Sequence, residues 1–319
     1  MSGSPVISVK GLTAGYGSRN TIADVSFTIE KGEILCLVGE SGCGKSTILR
    51  SLFSSPEIKI TSGDVILDGR DLSELSEDDR REYCSEKMCM VFQSPGASFN
   101  PIRTYEKQFT ETLKSHGKYD PATFRQKVAE AFAKVELTDS ERILKQCPYA
   151  LSGGMNQRVA LALAMLLDQG ILLCDEPTSA LDATIQLQVA KELKRLRDEC
   201  GVTMIVVTHN LALARYLADR IGVMYAGRLV EVGAYCDLLC HPNHPYTRSL
   251  MAAIPSLDGK MPSGLPGQPP LSGPSETGCE FRDRCPCAVQ ECADKIYTLE
   301  KVHDSHYVAC CSNGEGGSI

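Results

Sequence analysis

The sequence Gly39-Glu40-Ser41-Gly42-Cys43-Gly44-Lys45-Ser46 decides the fold of this chain. The apolar run 34–38 precedes it and the amphipathic run 47–52 follows it, which predicts a buried strand, a glycine turn and a helix. In that context the pattern G-x-x-x-x-G-K-[ST] indicates a phosphate site. Glycines let backbone N–H groups curl around phosphate oxygens, and the helix N-terminus adds partial positive charge. The stretch therefore predicts a nucleoside triphosphate site in an α/β fold.

The residues of this stretch have separate expected roles. Lys45 would reach the β- and γ-phosphates, and the Ser46 hydroxyl would bind Mg²⁺. Tyr16, in the turn 15–17 upstream, is expected to stack on adenine, the alternative being a plain turn residue. The other positions expected to contact the nucleotide are Gly39, Ser41, Gly42, Cys43, Gly44 and Thr47.

Composition limits the class of protein. The chain has 319 residues, a formal net charge of −7 and a pI of about 5.5, which argues against a nucleic-acid partner. No apolar run approaches the ~20 residues that cross a bilayer, and residues 1–5 do not resemble a signal peptide. We therefore expect a cytosolic protein that reaches a membrane only through partners.

Polar residues follow several apolar runs that are predicted to be buried strands. They are Gln93, the pair Asp175 and Glu176, and His209. Ligands of open α/β sheets bind at the carboxyl edge, so Asp175 is expected to bind Mg²⁺ and Glu176 to act as the general base toward water. Gln93 would contact Mg²⁺ or the attacking water, and His209 would donate to the γ-phosphate. The alternatives are a loop glutamine, a helix-capping pair and a structural histidine.

Taken in order, the motifs resemble those of the ATP-binding subunits of ABC transporters, over residues 6–255. The motifs are Walker A at 39–46, Gln93, the signature 151–157, Walker B ending at Glu176, the segment 179–182 and His209. The resemblance implies a P-loop NTPase core with an N-terminal antiparallel β-region and a helical signature subdomain at about 97–168. The predicted domains are a nucleotide-binding domain, 1–255, and a Pro/Gly linker with a small Cys-rich extension, 256–319.

The resemblance also implies a head-to-tail dimer with ATP between Walker A of one subunit and the signature of the other. Ser152, a predicted helix N-cap, and Gly154 would then face the partner's γ-phosphate, and Asp182 would act across the interface. Every catalytic motif is intact, so we expect an active ATP hydrolase. Its expected catalytic residues are Glu176, His209, Gln93 and Lys45.

The C-terminal part narrows the branch. Residues 241–250 resemble the His-Pro-Tyr-Thr segment of peptide and nickel importer ATPases, where we interpret His241 and His244 as structural. Residues 256–277 are rich in Pro, Gly and Ser and are predicted to be a linker or an extended surface segment.

Six of the 15 cysteines lie beyond residue 278. Four of them resemble the tail of dipeptide and oligopeptide importer ATPases, some of which hold a [4Fe–4S] cluster: Cys279, Cys285, Cys292 and Cys310. Zn²⁺ or no metal are the alternatives, and the absence of C-x₂-C spacing favours the cluster over zinc. Cys287 and Cys311 are additional thiols that could compete as ligands.

We therefore expect an ATP-hydrolysing subunit that energises a membrane importer of di- and oligopeptides, peripheral at the cytoplasmic face. Expected partners are a second ABC ATPase (another chain or a second copy), two membrane permeases contacted by the loop 94–105, and indirectly an extracytoplasmic solute-binding protein. A nickel or metal-chelate importer ATPase is one alternative. A soluble ABC ATPase without a transport role is the alternative of another class.

Overall fold

The computed structural model describes residues 4–94, 98–179, 181–253, 265, 267–270 and 273–311. The described parts of Met1–Arg81 and Val207–Ile319 form one compact unit, and those of Glu82–Val206 form a second. Parts of two predicted segments, the loop 94–105 and the linker 256–277, lie outside the described residues. The domain boundary at residue 255 stays a prediction.

An antiparallel sheet forms the N-terminal part of the first unit, as the sequence predicts. Its strands are β1 (Ile7–Tyr16), β2 (Arg19–Ile29), β4 (Ile58–Leu67) and β5 (Arg70–Asp71), in the order β2-β1-β4-β5. The alternation of apolar and polar residues predicts a strand over 6–12, whereas β1 extends to Tyr16. At Gly15 a Cβ atom would lie 2.0 Å from the carbonyl oxygen of Arg19, so the hairpin needs glycine there.

A second sheet in this unit carries the nucleotide loop. Its strands are β3 (Ile34–Val38), β9 (Arg220–Tyr225), β10 (Arg228–Ala234), β11 (Glu300–His303) and β12 (His306–Val308), in the order β11-β12-β10-β9-β3. Strands β3 and β9 are parallel, and the remaining pairs are antiparallel. The last two strands belong to the Cys-rich tail, which thus extends the sheet of the unit that holds the P-loop.

The first unit contains four α-helices among its described residues. They are α1 (Lys45–Leu52), α8 (Leu211–Leu217), α9 (Tyr235–Cys240) and α10 (Pro245–Ala252). The chain passes into the second unit within α2 (Glu77–Lys87). The highly charged run 71–86 predicts one exposed helix. That prediction was wrong for residues 71–76, because Asp71 caps a short 3₁₀ turn at 72–74 by accepting from the Ser73 N–H at 2.8 Å.

The second unit combines three strands with a helical region. The strands are β6 (Met88–Val91), β7 (Ile171–Asp175) and β8 (Thr203–Val207), in the order β8-β7-β6. The helices given in full by the described residues of the predicted signature subdomain are α3 (Tyr105–Ser115), α4 (Phe124–Lys134), α5 (Ser140–Lys145) and α6 (Gly153–Leu167). Helix α7 (Ala183–Cys200) follows β7. Edge-to-face contacts of Phe109 with Tyr105 and Phe132 form the core of the helical region.

None of the helices that the structure describes is both long and apolar enough to cross a bilayer.

Candidate ATP site and C-terminal thiol cluster

The P-loop has the backbone conformation that its glycines allow. Gly39, Gly42 and Gly44 have φ angles of +151°, +81° and +99°. A Cβ atom at Gly39 would lie 2.2 Å from the Met224 carbonyl oxygen, and one at Gly44 would lie 2.6 Å from the Ile22 side chain. Positive φ and lack of space both demand glycine, so the loop lies tightly against the sheet and leads directly into α1.

Lys45 is held inside this loop. Its side chain is buried, and Nζ donates to the carbonyl oxygens of Gly39 and Glu40 at 2.9 Å each. The Cys43 sulfur lies 3.6 Å from the same nitrogen. The loop thus concentrates one fixed positive charge where a triphosphate would bind, and Ser46 lies next to Lys45 in the first turn of α1.

A cavity of about 450 Å³ opens beside the P-loop, a size suited to a nucleotide. Tyr16, 41% exposed, lies on one wall next to Ser41, Gly42 and Cys43, in a position to stack on a base. The predicted Pro/Gly linker supplies another part of the wall through Pro269, Pro270 and Gly273. Reasoning from the sequence missed this contribution, because no motif marks it.

In the second unit, two of the predicted catalytic residues are in contact. The Gln93 side-chain amide donates to a Glu176 carboxylate oxygen at 3.1 Å. Glu176 has a φ of +46°, unusual for a non-glycine residue, and its carbonyl oxygen accepts from the Gln157 amide at 3.3 Å. Asp175, the preceding residue, ends β7 with its side chain buried. The sequence-predicted base therefore has an orienting partner, and the predicted Mg²⁺ ligand directly precedes it.

The other predicted site residues of the second unit are helix caps. The Ser152 hydroxyl accepts from the Met155 N–H at 3.3 Å at the start of α6, as predicted, and Gly154 lies in that first turn. Asp182 caps α7 by accepting from two N–H groups at 3.0 and 3.1 Å. Both side chains thus stand at helix N-termini, where an anion is favoured.

His209 belongs to the first unit. It lies just after β8, is exposed, and stands between Thr208 and Asn210, whose side chain caps α8. The Thr208 N–H bonds to the carbonyl oxygen of Leu37, the penultimate residue of β3, at 3.1 Å. This bond ties the His209 segment to the strand that leads into the P-loop.

The six tail cysteines surround one small cavity. Its lining includes Cys279, Cys285, Cys287, Cys292, Cys310 and Cys311, together with His244 and Phe281. Burial raises the pKa of the Cys279 thiol to about 11 and that of Cys311 to about 12. Thiols with raised pKa values are protonated near neutral pH. Sulfur donors around one cavity are nevertheless of the type that binds zinc or iron–sulfur groups. Over the residues that the structure describes, however, no three His, Cys, Asp or Glu side chains are grouped to hold a metal ion.

The 241–250 segment is anchored by a buried carboxylate. Glu231 accepts from the Asn243 and His244 N–H groups at 2.8 and 2.9 Å, and His306 of β12 lies 2.7 Å from the same carboxylate. Burial alone would raise the pKa of the Glu231 carboxyl group. The hydrogen bonds to the carboxylate together have the larger effect, so its pKa is lowered. The predicted structural histidine His244 caps α10, with Nδ1 accepting from the Tyr246 N–H at 3.0 Å.

Comparisons with known proteins identify the family. The model of the ABC transporter family matches residues 22–179, and that of the oligopeptide/dipeptide transporter C-terminal region matches residues 230–292. A probable peptide ABC transporter ATP-binding protein of Sinorhizobium fredii is 38% identical over 94% of this chain and 92% of that protein. The dipeptide transport ATP-binding protein DppD of Bacillus subtilis is 36% identical over 96% and 94%.

Solved structures agree on the fold. The dimeric ABC transporter cassette MJ0796 bound to ADP and Pi superposes with a TM-score of 0.65 at 30% identity, covering 72% of this chain and 98% of that one. The fold and the P-loop thus define an ABC-type ATPase. This chain belongs to the ATP-binding subunits of ABC transporters, in the peptide-importer branch, as the sequence motifs predicted.

Proposed function

We propose that this chain hydrolyses ATP to energise the import of di- and oligopeptides through membrane permeases. The observation that carries the proposal is that the cassette and the oligopeptide/dipeptide C-terminal region occur together, with relatives for dipeptides and oligopeptides at 36% identity across nearly the whole chain. A nickel or metal-chelate importer remains the second candidate within transport. The permeases would place the chain at the cytoplasmic face of the membrane.

The site residues divide the chemistry of hydrolysis. Lys45 and the α1 N-terminus hold the β- and γ-phosphates, and Tyr16 stacks on adenine. Glu176, oriented by Gln93, takes a proton from the attacking water. The oxygen of that water forms a bond to the γ-phosphorus while the bond between the γ-phosphorus and the ADP oxygen breaks. Ser46, Asp175 and Gln93 would hold Mg²⁺, which neutralises phosphate charge when bound.

Two subunits would complete each site. Ser152 and Gly154 of one subunit would present the α6 N-terminus to the γ-phosphate bound by the other, and Asp182 would act across the same interface. His209 would donate to that phosphate from the subunit whose P-loop binds it. The partner is a second ABC ATPase, either a different chain or another copy. Support comes from the dimeric cassette MJ0796, to which this chain is 30% identical.

Replacement of Glu176 by Gln tests the catalytic assignment. The variant keeps the shape and loses the base, so ATP turnover should fall about 10²–10⁴-fold while ATP still binds and dimers accumulate. Steady-state hydrolysis, equilibrium ATP binding and size-exclusion chromatography measure these properties. Near-normal turnover would remove Glu176 from the base role.

Uptake measurements test the transport assignment. Cells lacking this chain, complemented with the intact copy or with Lys45→Ala, are given labelled dipeptides, longer peptides and nickel. Restoration of peptide uptake by the intact copy alone is the expected result. Loss of nickel uptake alone would favour the second candidate, and no change in any uptake would favour a non-transport ABC ATPase.

The thiol cluster is proposed to hold a [4Fe–4S] group through Cys279, Cys285, Cys292 and Cys310, with Zn²⁺ as the alternative. Support comes from the one cavity that these four thiols line, whereas among the described residues no three such side chains are grouped to hold an ion. Anaerobic purification with iron, sulfide and zinc analysis tests this proposal. A colourless, metal-free protein would overturn it, and Cys287→Ser is the matched control because that thiol is extra to the resembling pattern.

A further inference from the structure

Arg284 of the tail reaches the P-loop. It immediately precedes Cys285, and its two terminal nitrogens donate to the two carboxylate oxygens of Glu40 at 2.7 and 2.9 Å. The Arg284 side chain is only 6% exposed and that of Glu40 is 24% exposed. A partly buried, two-pronged ion pair of this kind is strong and geometrically specific. It joins residues that lie 244 positions apart.

Glu40 is held through each of its polar groups. Its N–H donates to the Tyr246 hydroxyl at 3.0 Å, its carbonyl oxygen accepts from Lys45 Nζ at 2.9 Å, and its carboxylate accepts from Arg284. Glu40 is therefore the point at which the tail, the 241–250 segment and the phosphate-binding lysine meet.

Aromatic rings hold the arginine in place. The Arg284 guanidinium lies 5.6 Å from the Tyr225 ring centre and 6.0 Å from that of Phe281, and it donates to the Tyr225 hydroxyl at 3.2 Å. Phe281 also packs against the Tyr246 ring, with centroids 5.4 Å apart. Because this packing limits the movement of Arg284, the guanidinium approaches Glu40 in one orientation.

We propose that Arg284 is a positioning residue of the nucleotide site, through which the Cys-rich tail sets the affinity of the P-loop for nucleotide. This inference rests on the ATP site proposed above and deepens it. An unpaired Glu40 carboxylate would place a negative charge in the cavity beside the P-loop, where it repels the triphosphate and attracts Lys45 away from phosphate. Arg284 removes both effects by neutralising that carboxylate.

Arg284→Gln tests the proposal on the purified full chain. Binding of MgATP, measured by calorimetry, should weaken about 10-fold, and the KM for ATP should rise with it. The kcat should stay within about threefold of the wild-type value, because the catalytic base is a different residue. The MgATP affinity of Arg284→Lys should lie between those of the wild type and Arg284→Gln, since lysine keeps the positive charge but cannot form the two-pronged hydrogen bond.

Adding Glu40→Gln to Arg284→Gln distinguishes charge neutralisation by Arg284 from a purely structural role of Arg284. The double variant Glu40→Gln/Arg284→Gln has no unpaired carboxylate, so its affinity should recover toward that of the wild type. Independent structural damage would instead add the two losses. The double variant also gives a folded reference if Arg284→Gln alone is unstable.

Glu280→Gln is the matched control. It breaks another buried ion pair between tail and sheet, Arg228 Nε–Glu280 Oε1 at 2.6 Å, with side chains 13% and 8% exposed. MgATP affinity should be unchanged in this variant. Equal weakening in Glu280→Gln, wild-type affinity in Arg284→Gln, or no recovery in the double variant would each overturn the proposal. Failure of the wild type to bind MgATP would instead overturn the ATP site.

Discussion

The P-loop and the Cys-rich tail belong to the same compact unit but acquire their structures in different ways. The P-loop is a run of eight residues in which glycines at positive φ set the backbone and Lys45 bonds to the loop's own carbonyl oxygens. The tail, residues 278–311, contains only two short strands and two 3₁₀ turns. Its position depends on partners remote in the chain, such as Glu231 and Glu40. The backbone geometry of the P-loop is set mainly by its own residues, whereas the position of the tail is set by contacts with residues distant in the chain.

Lys45→Ala should produce the largest effect and separates chemistry from folding. Loss of the fixed charge at the phosphates should lower ATP turnover about 10²–10³-fold, a typical loss for one electrostatic group. The glycines still set the loop, so the melting temperature should change little. Turnover assays and thermal unfolding measure both properties, with the exposed Lys31→Ala as control. Normal turnover, or collapse of the fold, would contradict the view that the glycines set the backbone of the loop and Lys45 supplies its charge.

Glu231→Ala, in contrast to Lys45→Ala, should mainly lower the stability of the protein. It leaves His306 and two N–H groups without their buried acceptor, a loss of about 3–5 kcal/mol in the free energy of unfolding. Chemical denaturation and limited proteolysis of the tail measure the change. Glu300→Ala removes an exposed carboxylate from the same tail and should cost less than about 0.5 kcal/mol. Equal stability of the two variants would show that the tail holds its structure without this anchor.

Acid should weaken the same region through His244. Burial lowers the pKa of His244 to about 4, whereas an unfolded histidine titrates near 6.5. As the pH falls, the unfolded chain therefore binds the proton first. The free energy of unfolding keeps its full value above pH ~6.5 and decreases by about 3 kcal/mol as the pH falls toward about 4. Unfolding free energies at pH 8, 6 and 4.5 measure this loss. His244→Gln should flatten the decline, and an identical decline in both proteins would contradict the prediction.

The sequence predicted those features that depend on neighbouring residues. The P-loop, the Ser152 cap and the strands of the N-terminal β-region follow from local patterns of glycine, polar and apolar residues. The antiparallel pairing of those strands was implied by the family resemblance. The contact of Gln93 with Glu176 spans 83 positions, and only the placement of both at strand ends suggested it. The ion pair of Arg284 with Glu40 had no local signal, because an arginine before a cysteine and a glutamate in a glycine loop are each ordinary alone.

The sequence by itself determined the nucleotide loop, the order of the catalytic motifs and the family, because each motif is a short run of neighbouring residues and the motifs follow one another along the chain. Only the tertiary structure decided that the tail continues the sheet of the P-loop unit, that six thiols share one cavity and that Arg284 holds Glu40. The physical reason is that a backbone turn is fixed by local sterics. A buried ion pair or a shared cavity forms only when the packed core brings distant residues within a few ångströms.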